Sequence, residues 1–125
     1  MDEASEGVTG PKDGPSGAVG PGRGMAARFD VESGPATVIL VEGELDAQTG
    51  SELRTLLARA FDERPDTVVV DLSGVDFIDS VGLSVLVTAH NRGESQETPF
   101  SVRSASPACV RVFEITRLVD VLHIT

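Results

Sequence analysis

Past residue 26 the apolar residues of this chain keep changing period, and that switching limits the fold more than any other feature of the sequence. Continuous β-branched runs alternate with stretches in which apolar residues recur every three or four positions. Such alternation specifies an α/β layer fold, with helices packed against a largely parallel sheet. Ala27 to Val31 reads as a short strand, and Glu32-Ser33-Gly34-Pro35 is turn chemistry. Val38-Ile39-Leu40-Val41 is the heart of a second strand over Thr37 to Leu45, so the first two strands form a hairpin. Leu53, Leu56, Leu57, Ala60 and Phe61 fall at helical spacing, and the helix ends before Pro65. Thr67 to Leu72 is apolar almost without interruption, as central strands are. Ser80 to Asn91 is helical, with Val81, Val85, Leu86 and Ala89 on its inner side. Phe100 to Arg103 makes a further core strand, and Ser106-Pro107 opens a helix carrying Cys109, Val112, Phe113 and Thr116 on one stripe. Val119 to Ile124 reads as the last strand. The expected order is β-β-α-β-α-β-α-β, a single domain over residues 26–125 with a mixed, mostly parallel sheet.

Residues 1–25 are of another kind. They hold seven Gly, three Pro, four acids and two bases, with no apolar cluster. Such a composition buries too little surface to offset ordering entropy, so a disordered acidic tail is expected. It lacks the apolar stretch of a signal peptide. Met25 begins the folded part, so a natural product that starts there and lacks the tail is a hypothesis that N-terminal sequencing would settle.

Charge and composition exclude several functions. Twenty acids against ten bases give a formal charge of −10, a field that repels phosphate backbones and anionic lipid. Five Phe and no Trp or Tyr offer no platform for stacking bases. No direct partnership with nucleic acid or membrane is therefore expected. There is no apolar run of about 18 residues to span a bilayer, and a cytoplasmic location follows as the expectation. One cysteine, Cys109, excludes an internal disulfide and a multi-cysteine zinc site, and it reads as a small core residue. His90 and His123 stand far apart in sequence, so a histidine metal site is not expected, and His123 receives no role. Arg103, Arg111 and Arg117 read as a solvated basic face.

Right-handed crossovers bring all the strand-to-helix loops to one edge of the sheet. That rim collects Glu44 and Asp46, then Asp76, Asp79 and Ser80, then Ser104 and Ser106. On residue types alone four readings of it stay open. Asp79 or Ser80 is an N-cap, worth about 1 kcal/mol. A serine hydrolase would need a base and an oxyanion hole, yet Gly82-Leu83-Ser84-Val85-Leu86 lacks the second glycine of a nucleophile elbow, and His90 lies nearly two turns from Ser84. A hard divalent cation on Asp46, Asp76 and Asp79 is a third reading. The fourth makes Ser80 a phosphorylation switch on a protein-binding face.

Three segments read together narrow the choice. VILVEGELDAQTGSELRTLL at 38–57, VVVDLSGVDFIDSVGLSVLV at 68–87 and SPACVRVFEITRLVDVL at 106–122 resemble the STAS-domain anti-sigma factor antagonists, from about Phe29 to Thr125. The G-E-L-D at 43–46 is moderately specific. The D-L-S-G-V-x-F-I-D-S-x-G-L at 71–83 is highly so, after a buried strand and at a helix start. Val81 departs from the family's frequent Ser or Thr and Ser84 from its frequent Gly, and many members carry one more helix at the end. The resemblance implies a non-enzymatic protein whose unphosphorylated form binds an anti-sigma factor with serine kinase activity and so releases a sigma factor. It implies that phosphorylation of Ser80 switches that binding off and that a serine phosphatase restores it. Asp46 and Asp79 match the family's docking and phosphosite region, and the expected partner face comprises Glu44, Asp46, Asp76, Asp79, Ser80, Val81, Gly82 and Leu83. The kinase brings its own Mg²⁺ and ATP, so no cofactor and no metal is expected in this chain. The alternative is a STAS scaffold subunit of a larger signalling or lipid-trafficking assembly.

Overall fold

In the computed structural model, residues 27–124 are described, and the expected N-terminal tail lies outside them. Strands β1 (Arg28–Glu32) and β2 (Ala36–Leu45) are followed by α1 (Ala47–Asp62), β3 (Thr67–Ile78), α2 (Ser80–Gln96), β4 (Phe100–Arg103) and α3 (Pro107–Thr116). The sheet order is β1-β2-β3-β4. The β1/β2 hairpin is antiparallel, and β2/β3 and β3/β4 are parallel.

Successive parallel strands step in one direction across the sheet, so right-handed connections place the helices on one face. The register agrees. Ile39, Val70 and Val102 stand side by side, each fully buried, in one core with Leu53 and Leu57 of α1, Leu86 of α2 and Phe113 of α3. The next row, Leu40, Asp71 and Arg103, points the other way because side chains alternate along a strand. There Arg103 Nε meets Asp71 Oδ2 at 2.8 Å, so Arg103 serves an ion pair on the sheet rather than a basic patch. Cys109 is fully buried, as expected of a small core residue.

The fold class stands as expected, with three local differences. β3 runs on to Ile78, six residues past Leu72, because it carries extra residues relative to β2. The register slips between Leu40 and Glu42 and again between Gly43 and Glu44, bulges that keep pairing alive through the Ser73–Ile78 motif. α2 continues past Asn91 to Gln96. The last strand shrinks to one parallel bridge, Ile124 to Val102, on the edge where a fifth strand belongs. Leu122 is the period-two neighbour of Asp120, so a full strand would turn a carboxylate towards the core. Instead the N–H groups of Val121 and Leu122 donate to the Leu118 carbonyl in a helical turn that packs Leu118 and Leu122 on one side. Burying a leucine is worth about 1.5–3 kcal/mol, more than a ladder hydrogen bond of about 1 kcal/mol.

Candidate functional site

The rim forms where β2 and β3 end together. Glu44 pairs with Phe77 and Leu45 with Ile78, and the Asp79 N–H donates to the Leu45 carbonyl at 3.1 Å. Each strand then gives way to a helix through an aspartate. Asp46 caps α1, its Oδ1 accepting from the N–H groups of Gln48 and Thr49, and the Thr49 hydroxyl reciprocates at the Asp46 N–H. Asp79 caps α2, accepting from Val81 N–H at 2.9 Å and Gly82 N–H at 3.1 Å. Two helix N-termini, each positive through its unpaired N–H groups, thus lie side by side. Glycine makes this approach feasible: a Cβ on Gly82 would sit 2.9 Å from Ile78 Cγ1 and 3.0 Å from Leu45 Cβ.

With Asp79 as cap, Ser80 occupies the first helical position and is exposed. Its hydroxyl makes no hydrogen bond to any described residue. Flanking it in sequence are half-buried Val81 and Leu83, buried Gly82, and Phe77, which is 48% exposed. Ile78 is buried, and the exposed apolar side chain of this segment is Phe77. The clue to Phe77 was strand alternation, since Ile78 points inward beside Leu45. Asp76 is exposed within β3, at the second bulge rather than in a loop. Glu44 is half-buried at the end of β2. Ser104 is exposed in a left-handed conformation. Ser106 is buried, donating to the Val75 carbonyl at 2.6 Å while it caps α3, so it holds structure together. In the second turn of α1, desolvation and then the charge of Asp46 push the Glu52 carboxyl above its ordinary value.

The competing chemistries fare differently. The Ser84 hydroxyl donates to the Val81 carbonyl at 2.7 Å, and the ring of His90 lies against His123, so this serine and this histidine do not form a nucleophile–base pair. Asp46, Asp76 and Asp79 do not converge as metal ligands. Among the described residues, the group of three that does is His90, Glu94 and His123. His90 and His123, far apart in sequence, are brought together where the C-terminal turn meets α2. No helix of the described residues is long and apolar enough to cross a membrane.

Comparison with known proteins bears on this geometry. The family model described as Mlab, STAS domain matches residues 29–123. An anti-sigma-B factor antagonist of Staphylococcus epidermidis is 31% identical over 86 residues, covering 69% of this chain and 80% of that protein. The crystal structure of an anti-sigma factor antagonist from Mycobacterium paratuberculosis is 30% identical, with a TM-score of 0.73 over 80% of this chain and 86% of that one. SpoIIAA in its unphosphorylated form shares the fold at 21% identity, with a TM-score of 0.67 over 78% of this chain and 88% of that one. STAS domains are regulatory and non-catalytic. From Phe29 to His123, through the paired strand ends and the capped helices they feed, this chain belongs to the STAS-domain family of anti-sigma factor antagonists.

Proposed function

We propose that the unmodified chain binds an anti-sigma factor with serine kinase activity through the rim around Ser80, and that phosphorylation of Ser80 by that partner ends the binding. A serine phosphatase would restore it. The observation that carries the reading is the exposed Ser80 hydroxyl, left unengaged because Asp79 does the capping. The names of the Staphylococcus and Mycobacterium relatives support an anti-sigma factor as the partner.

The physical sequence is short. The unmodified face presents Phe77, Val81 and Leu83 beside a small neutral hydroxyl. A phosphate adds about −1.5 to −2 charges there. The N-terminus of α2 tolerates that charge within the domain. A partner that covers it must desolvate a dianion beside Asp76 and Asp79. Such an unpaired or like-charged contact costs several kcal/mol, and about 3 kcal/mol already weakens binding roughly a hundredfold.

The direct test incubates the protein with candidate anti-sigma kinases and ATP and locates the phosphate by mass spectrometry. Ser80→Ala should bind the kinase constitutively, and Ser80→Asp should bind it at least tenfold more weakly, about 1.4 kcal/mol. Phosphate on another residue, or both variants binding and releasing like wild type, would overturn the reading.

A further inference from the structure

The chain has two histidines, and both arrive at one point although β4 and α3 lie between them in sequence. The rings of His90 and His123 have centroids 5.7 Å apart, tilted by 41°. Glu94 lies four residues beyond His90 on α2, on the same face of the helix. One donor atom from each of the three side chains falls within 4.8 Å of the others. None of the three side chains is engaged in a hydrogen bond or ion pair with another described residue. All three are thus unspent ligands.

We propose that His90, Glu94 and His123 form a binding site for a divalent transition-metal ion, Zn²⁺ above all. Two imidazole nitrogens and one carboxylate oxygen are a donor set for zinc, whereas Mg²⁺ and Ca²⁺ take oxygen ligands in greater number. Zinc holds its ligands at about 2.0–2.2 Å, so tetrahedral donors lie roughly 3.4 Å apart. Closing from 4.8 Å takes small rotamer changes, and Glu94 and His123 are exposed enough to make them. A depression of about 450 Å³, lined by Glu94, Glu97, Phe100, Ser101 and His123, adjoins two of the three ligands and leaves room for water or an exogenous ligand. The surplus of acids over bases in the chain favours a cation.

The ion would clasp the C-terminal segment to α2. Among the described residues one bridge, Ile124 to Val102, ties that segment to the sheet, and His123 beside it holds a left-handed φ of 51°, uncommon for a residue with a Cβ. A ligand that binds the folded state alone raises its stability with concentration. The site is remote from the start of α2 and does not depend on the phosphorylation of Ser80.

Calorimetric titration of the full chain with ZnCl₂ should give one ion per chain and a thermal midpoint that rises with zinc but not with Mg²⁺ or Ca²⁺. His90→Ala and His123→Ala should each abolish the zinc-dependent rise while circular dichroism without zinc matches wild type. Glu94→Gln, on the exposed side of α2, should weaken zinc binding about tenfold or more and reads the site even if a histidine variant misfolds. Absence of any zinc-dependent rise, a rise that survives both histidine substitutions, or unchanged affinity in Glu94→Gln would overturn the site.

Discussion

Asp79 and Ser80 divide two tasks that one side chain at a helix start cannot perform together. The carboxylate of Asp79 satisfies the orphan N–H groups of Val81 and Gly82, so the next hydroxyl is left without structural work. Ser106 is the contrast: it caps α3 itself, donates to Val75 and is buried. An aspartate one position ahead is what separates an exposed serine from a structural one. Asp71 shows how far a residue's role depends on its partner across the sheet. Burial opposes its ionisation, but the Arg103 guanidinium and the N–H and O–H of Ser73 outweigh that and hold the carboxyl below its ordinary value of 3.8. A carboxyl depressed in the folded state contributes stability above its unfolded pKa and loses it as pH falls through the folded value. Asp71→Asn should therefore cost about 1–2 kcal/mol near neutral pH. The gap to wild type in urea unfolding should close in acid below 3.8. A gap that stays constant down the titration would contradict the pairing.

Among the elements, α3 ends in a way its sequence does not favour. Arg117 takes a left-handed φ of 62° at the C-cap, and the Leu118 N–H donates back to the Phe113 carbonyl. Glycine is the usual residue for this motif. A side chain there costs about 1–2 kcal/mol, and glycine's extra unfolded-state entropy returns about 0.5–1 of it. Arg117→Gly should thus stabilise the domain by about 0.5–1 kcal/mol in denaturant unfolding, and a loss of stability would show that the guanidinium stem packs usefully. The same cap bends the chain so that Leu118 and Leu122 pack inward, which is why Val119–Ile124 forms a turn and a bridge in place of a strand. Apolar alternation over six residues suits both structures. Asp120, on the wrong parity for a strand, was the residue that discriminated.

At the scale of the molecule, one face of the sheet carries the helices and one edge carries their starts. Ser80 sits outside the core that joins them, so a phosphate placed on it would have no buried contact to break. If Ser80 is phosphorylated as proposed, amide chemical-shift changes should stay within the rim, from Glu44 to Gln48 and from Asp76 to Ser84. Changes spreading to β1 and α3 would indicate rearrangement in place of a blocked surface. The hairpin, the helix periods and the seven main elements were legible because each rests on local spacing. The length of β3 was not, since its bulges exist only against β2.

What the sequence determined by itself is everything that repeats within a few residues: alternation along strands, the apolar stripe of each helix, and aspartate and serine at the start of α2. Those features depend on backbone geometry that every segment carries with it. Tertiary structure alone decided which distant groups meet: Asp71 with Arg103, and His90 with Glu94 and His123. Such meetings depend on how strands register and where a terminal turn packs, and neither leaves a period in the chain.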